Sequence, residues 1–337
     1  MFKKGLVLLV SIGVMFSFIF VSTGRVQAVD LTYSTFFPAP HAQAILAVEW
    51  AKEVEKRTNG AVKVNVFPGG TLTPANQCYD GVVKGISDVG MAVLSYTAGR
   101  FPLMEVIDMP LGYKSGAQAT RLINAFYNKF QPKELDDTKV MYLMAHGPGI
   151  VNTKKPVNKL EDLKGLKIRC TGTSSKIVTH LGGTPVAMPQ TETYDALQKG
   201  VVDGVMSPIE TAKGWKLAEV VKSHTLNYGS AYSLGFFVVM NKQKWNALPK
   251  DIQATIEKIN AEWIEKSART WEYTDKEGLE YTKSKGNQVI TLSKQEDERW
   301  AKLVFPILDE YVVAMKAKGL PGEEALKFCQ DWLKKNQ

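Results

Sequence analysis

Cysteine is scarce in this chain. Cys78, Cys170 and Cys329 are the only three in 337 residues, and no two are closely spaced. That excludes a Cys-x-x-Cys redox pair and a zinc knuckle. At most one disulfide could form, and spacing does not choose its partners. The four histidines, His41, His146, His180 and His224, show no paired metal spacing. No phosphate-binding Gly-x-x-x-x-Gly-Lys loop occurs. Gly172-Thr-Ser174-Ser-Lys176 lacks the second glycine of a nucleophile elbow, and His146-Gly-Pro-Gly149 lacks the third glycine of a dinucleotide turn. No basic stripe with interleaved aromatics is present, which argues against nucleic-acid binding. There is no low-complexity tract and no repeat. The expectation is a chain with no catalytic residues, no metal and no cofactor.

What the chain does have begins at its start. Lys3 and Lys4 precede a 17-residue apolar run, Gly5–Val21, and Val26-Gln27-Ala28 offers the small side chains a signal peptidase reads. Residues 1–28 are therefore expected to be a secretory signal peptide, with the mature chain starting at Val29 and exported to the periplasm. No later stretch approaches the roughly 20 apolar residues of a membrane span. Net charge is +8; without Lys3, Lys4 and Arg25 it is 39 basic against 34 acidic residues. This mild basicity suits an anionic ligand.

Periodicity then predicts an α/β fold. Strands over 31–35, 62–67 and 88–94 alternate with helices over 42–57 and 74–84, which implies a largely parallel sheet. Ligands bind at the carboxyl ends of such strands, so Phe36–His41 and Leu94–Thr97 fall at a cleft edge. A helix is expected over 115–130 and a strand over 139–145. His146–Gly149 then reads as a crossover into a second α/β unit. An apolar strand, Leu234–Met240, crosses back. Ile252, Ile256, Ile259, Trp263, Ile264 and Ala268 keep a helical period within one long helix, 249–286, able to reach across both domains. Helices over 294–318 and 323–334 close the chain. The first domain is drawn as 29–150 plus about 235–270. The second is drawn as 151–234 plus about 271–337, with the C-terminal helices.

The centre of this arrangement is Arg169. It ends the run Leu160-Glu-Asp-Leu-Lys-Gly-Leu-Lys-Ile-Arg169, inside a short apolar strand. An arginine so placed must pair with an acid or face a cavity. Thr171–Ser175 follows with hydroxyls and amides at a helix start, which favours an anion nearby.

Several motifs around it resemble the solute receptors of TRAP (tripartite ATP-independent periplasmic) transporters, of DctP type. These are Lys56-Arg-Thr58-Asn59-Gly60, Pro68-Gly-Gly-Thr-Leu72 and Leu181-Gly-Gly-Thr-Pro185. With them go Glu192-x-Tyr194-x-Ala-Leu-Gln198-x-Gly200-x-Val-Asp203-Gly204 and Val239-Met-Asn241-Lys. The resemblance spans essentially the whole mature chain. It implies a two-lobed, periplasmic-binding-protein-like fold with a long helix bridging the lobes. It also implies a receptor that binds a small organic acid and delivers it to a membrane permease of small and large subunits, driven by an ion gradient.

Carried over residue by residue, Arg169 falls on the family's carboxylate-binding arginine, whose planar fork can hold a carboxylate bidentately. Ser207 stands where many members have an asparagine that assists the carboxylate. Gln190 lies in a ligand-lining segment. Gly149 stands where some members, including sialic-acid receptors, carry a second arginine. Phe37 and Tyr96 from cleft-edge loops, and Tyr232 near the return strand, add aromatic surface. With no second cation, this points to a monocarboxylate with an apolar or aromatic body. Trp215 reads as packing. Two alternatives use the same scaffold: an exported hydrolase or lyase, and a ligand sensor for a membrane signalling protein.

Overall fold

The computed structural model of the protein describes residues 28–336; apart from Ala28, the segment read as a signal peptide lies outside them. The chain builds one sheet, leaves it, builds a second, and returns. The first lobe opens with β1 (Val29–Thr35), α1 (Ala42–Arg57), β2 (Val62–Phe67), α2 (Cys78–Val83), β3 (Val89–Val93), α3 (Gly116–Phe130) and β4 (Thr138–Ala145). The second lobe takes β5 (Gly149–Thr153), β6 (Lys167–Cys170), α4 (Ser174–His180), β7 (Thr184–Ala187), α5 (Thr193–Gln198), β8 (Gly204–Pro208), α6 (Thr211–Gly214) and β9 (Ser223–Leu226). Next come β10 (Gly235–Asn241), α7 (Lys242–Ala247), α8 (Lys250–Ser284), β11 (Gln288–Thr291), α9 (Lys294–Val304), α10 (Pro306–Ala317) and α11 (Gly322–Lys335).

The sheets have strand orders β2-β1-β3-β10-β4 and β11-β9-β5-β8-β6-β7. Parallel pairing holds for β1 with β2 and β3, and for β6 with β7 and β8. It fails at two strands. β10 runs antiparallel to β3 and β4, and β5 runs antiparallel to β8 and β9. Each of these is the first strand after a crossover, so each enters its sheet from the cleft side while its neighbours run toward the cleft. The crossovers, 146–148 and 227–234, touch each other: Gly149 N–H donates to Tyr232 O at 2.7 Å, and Ser233 Oγ donates to His146 O at 2.7 Å.

Helix α8 spans 35 residues, about 52 Å at 1.5 Å per residue. Its first half packs on the first lobe, where Trp263 Nε1 donates to Leu46 O at 3.1 Å and Trp50 Nε1 donates to Asn260 Oδ1 at 3.0 Å. Its second half lies on the second lobe, with Lys213 paired to Glu277 at 2.7 Å. The helix therefore straddles the cleft, and Gly286, at φ +70, ends it.

Three boundaries differ from the sequence reading. The helix expected over 294–318 is two helices, because Pro306 has no N–H to continue α9 and instead starts α10 at its first position. The drawn domain border at 150/151 falls inside β5, which begins at Gly149 because that residue already pairs with Pro208 of the second sheet. The last helix does not stay with the second lobe. Phe328 of α11 meets Phe126 and Phe130 of α3 at 6.2 and 5.6 Å, and Gln118 Nε2 donates to Asn336 O at 3.0 Å. The cysteines are three separate, buried free thiols. Among the described residues no helix is long and apolar enough to cross a membrane, and no cluster of His, Cys, Asp or Glu is arranged to hold a metal ion.

At Gly278 helix and lobe approach closely. A Cβ at Gly278 of α8 would stand 2.4 Å from Ile209 O and 2.7 Å from Glu210 Cα. Backbone cannot yield as a side chain can. Gly278→Ala is therefore expected to lower the urea midpoint, because overpacking of about 1–3 kcal/mol exceeds the ~1 kcal/mol that alanine adds to helix propensity. A raised midpoint would mean the helix and lobe are not held this closely.

Candidate functional site

Strand β6 delivers Arg169 to the floor of the cleft, where it is 2% exposed. The loop after β7 returns beside it. Arg169 Nε and Nη2 donate to Met188 O at 3.0 and 2.8 Å, and Nη1 donates to Gln190 Oε1 at 3.0 Å. Of the five guanidinium N–H groups, this leaves one on each terminal nitrogen without a protein acceptor among the described residues. No carboxylate forms an ion pair with it there. The acid bordering the cavity, Glu210, instead binds His41, with Glu210 Oε2 3.2 Å from His41 Nε2. His41 Nδ1 accepts from Gln43 N–H at 3.1 Å, so the ring proton is on Nε2 and points at Glu210.

A narrow slot lies over the guanidinium, with only about 30 Å³ of room for water because the lobes are closed on it. Tyr96 Oη, from the first lobe, accepts from Gln190 N–H of the second at 3.0 Å. Phe36 of the first lobe stacks on Trp215 of the second, with centroids 5.9 Å apart and planes at 17°. All six residues singled out from sequence, Arg169, Ser207, Gln190, Tyr96, Phe37 and Tyr232, border this one cavity.

Their chemistry differs from residue to residue. Gln190 Nε2 is a buried donor with no partner. Ser207 Oγ accepts from Asn152 Nδ2 at 3.1 Å and gives its proton to Thr211 Oγ1 at 2.8 Å, since Thr211 spends its own on Pro208 O. It thus has no proton left for a ligand. Tyr232 Oη donates to Met206 O at 3.0 Å, and its ring fills the space over Gly149, where a Cβ would lie 2.2 Å from Tyr232 Cε1. Tyr232 is therefore an apolar wall. Thr171–Ser175 turns out not to face the guanidinium. Ser174 Oγ caps its own turn, accepting from Thr171 N–H at 2.9 Å and donating to Thr171 O at 2.6 Å. Thr171 and Gly172 border a neighbouring cleft instead. That cleft is larger, about 330 Å³, but it has no cation; its charged residues are Glu105 and Asp108, both carboxyls pushed up by burial.

Sequence reasoning put Phe36 only in a cleft-edge loop, read His146 as part of a crossover and Trp215 as packing, and did not single out Phe236 or Trp271; all five complete the wall. Phe236 lies 6.4 Å from Phe36 and 5.4 Å from Trp271. His146 is the most informative of these. Its Nδ1 is 2.5 Å from Gly147 O, while Nε2 is buried without a partner. Burial, reinforced by the Arg169 charge, pulls its pKa down to about 4 against the raising effect of the Gly147 bond. The available signal was position: His146 directly follows β4, at the carboxyl end of a strand, and opens the crossover.

The family model for bacterial extracellular solute-binding proteins, family 7 (DctP), matches residues 33–314. The chain is 28% identical over 292 residues to the C4-dicarboxylate-binding periplasmic protein DctP of Rhodobacter capsulatus, covering 83% of this chain and 85% of that one. It superposes on a TRAP periplasmic solute binding protein from Desulfovibrio salexigens with TM-score 0.81 and 34% identity, covering 92% of this chain and 97% of the other. A TRAP solute binding protein from Rhodoferax ferrireducens, solved with copurified benzoate, gives TM-score 0.86 at 28% identity, covering 91% and 98%.

Behind the cavity, Glu210 meets a second acid. Asp275 of α8 accepts from Glu210 N–H at 3.3 Å. Asp275 also borders a crevice by Tyr228 and Leu279. Burial first, then repulsion from Glu210, raises its pKa from 3.8 to about 8. Between those values the folded chain keeps a proton that the unfolded chain has released, so stability falls as pH rises through the window. Asp275→Asn keeps the acceptor oxygen and cannot ionise. Its thermal midpoint is expected to fall less than that of the unsubstituted protein between about pH 5 and pH 8. Equal slopes would show that Asp275 titrates normally.

Proposed function

Since the chain belongs to family 7 of the bacterial extracellular solute-binding proteins, a family of periplasmic TRAP receptors and not of enzymes, we propose that it binds a small organic monocarboxylate between its lobes. Arg169 holds the carboxylate. The acid then passes to a TRAP permease of small and large membrane subunits, driven by an ion gradient. The signal peptide read at residues 1–28 would export the receptor to the periplasm.

The observation that carries this reading is the buried guanidinium that no carboxylate among the described residues neutralises, with one N–H on each terminal nitrogen uncommitted there. Two parallel N–H groups fit the two oxygens of one carboxylate. Gln190 Nε2 supplies a further unpaired donor beside them. Family membership leaves the ligand open, since one relative is named for C4-dicarboxylates and another holds benzoate. The wall favours the second kind. Phe36, Phe37, Tyr96, Trp215, Tyr232 and Phe236 face the cavity, and Arg169 is its one Lys or Arg. A second carboxylate would meet aromatic faces and Glu210, whereas an apolar or aromatic body would be solvated by them.

Two measurements test this. Native mass spectrometry of gently purified protein is expected to find a copurified monocarboxylic acid. Calorimetry with benzoate and other monocarboxylates should show Arg169→Ala binding about a hundred- to several-thousand-fold more weakly, the equivalent of ~3–5 kcal/mol for a buried carboxylate left without its partner. Its thermal midpoint should hold or rise, because the substitution removes a buried charge unpaired by any protein acid. Undiminished affinity in Arg169→Ala, or binding of dicarboxylates alone, would reject the reading.

A further inference from the structure

The cavity wall holds a second polar group, and it has the opposite character to the arginine. His146 is 2% exposed and borders the same space as Arg169. Its Nδ1 lies 2.5 Å from Gly147 O, and a carbonyl can only accept, so Nδ1 carries the ring proton. A neutral imidazole has one such proton, which leaves Nε2 a bare lone pair. That lone pair has no partner. Burial and the nearby guanidinium both oppose a second proton on the ring.

Among the described residues no protein donor reaches Nε2. His146 is boxed by aromatic rings, with Tyr232, Phe236 and Trp271 at 5.6, 6.0 and 6.3 Å, all near edge-on. Tyr232 spends its hydroxyl on Met206 O. Trp271 Nε1 is itself buried without an acceptor. So the wall of the cavity carries donors, on Arg169 and Gln190, and beside them an unpaired acceptor on His146 and an unpaired donor on Trp271. A carboxylate cannot sit against His146 Nε2, because its oxygens would face the imidazole lone pair. A methyl or ring C–H there would leave both polar atoms unsatisfied. A hydroxyl group donates once and accepts in the same place.

We propose that His146 Nε2 reads a hydroxyl on the ligand, whose oxygen Trp271 Nε1 can in turn bond, so that the preferred solute is a hydroxylated monocarboxylic acid. This rests on the carboxylate-receptor reading above and narrows it. Burying an unpaired acceptor costs about 1–3 kcal/mol, so a hydroxylated acid should bind roughly ten- to a hundredfold more tightly than its unhydroxylated match.

The test uses matched pairs titrated into the full-length mature protein: benzoate against its three hydroxybenzoate isomers, phenylacetate against mandelate, and propionate against lactate. At least one hydroxylated member is expected to exceed its match by that factor. His146→Phe should bring the ratio toward one, and His146→Gln, which keeps an acceptor, should retain part of it. If His146→Phe fails to fold, the ratios in the unsubstituted protein and in His146→Gln still decide. A crystal structure of the best complex should place the hydroxyl oxygen within about 2.6–3.2 Å of Nε2. Equal affinities within every pair, a ratio that survives His146→Phe, or a hydroxyl pointing elsewhere would overturn the role of His146 and leave the receptor reading intact. If no member of any pair binds, the carboxylate reading itself fails.

Discussion

A guanidinium buried without a protein carboxylate is the constraint the cleft is built around. Taking a charge out of water costs several kcal/mol unless another charge or good hydrogen bonds replace the solvent. Met188 O and Gln190 Oε1 replace part of that solvent. Both come from the loop after β7, on the same lobe as Arg169, so they orient the fork whether the lobes are open or closed. They are neutral, however, and orient the charge without cancelling it. The acid in the wall, Glu210, accepts the Nε2–H of His41 across the cleft and is thereby kept off the arginine. The molecule thus preserves a charge that a simple salt bridge would have extinguished.

The fold explains how such a site can be both dry and accessible. Two lobes are joined by two short crossovers that touch at Gly149 and Tyr232 and by a helix that lies across both. Crossovers of this kind confine relative motion to a few backbone torsions. Gly147 and Gly149 sit where the crossover packs against Asp275 and Tyr232 with no room for a side chain. The hinge is therefore tight against α8 and against the cavity floor. His146 belongs to the hinge itself, so the acceptor it presents moves with the joint between the lobes.

Much of this was legible in the sequence, and the rest was hidden for identifiable reasons. Helix α1 and strand β2 have the bounds their patterns predict, because each is amphipathic and ends at Asn59-Gly60 or Pro68-Gly-Gly70. The break at Pro306 was passed over because the apolar period of α9 continues into α10. Strand direction at β5 and β10 depends on which side the chain enters from, and side-chain periodicity carries no such information. In the site, Arg169 stood out because an arginine in an apolar strand needs a reason. The aromatic wall did not, since Phe36, Trp215, Phe236 and Trp271 each look like core residues and are brought together only by the topology. Trp271 lies at the point where α8 passes from one lobe to the other, and His146 at the exit of a strand. Position relative to the cleft was the usable clue, more than residue type.

The two halves of the site contribute differently to closure. A ligand favours the closed form only by the contacts it makes there and not in the open form. On the proposed reading, the donors that would meet a carboxylate, on Arg169 and Gln190, both lie on the second lobe. By themselves they would yield affinity without closure. The groups that come from the other lobe are Phe36 and Phe37 after β1, Tyr96 after β3, and Phe236 on β10. On the proposed reading these would meet the body of the ligand, not its charge. The apolar part of the solute would then drive closure, and expelling water from the slot would lower the local dielectric and strengthen the carboxylate–guanidinium attraction. A bare small anion would satisfy Arg169 without bridging the lobes, whereas an acid with a ring or branched body would bind both sides and favour the closed receptor.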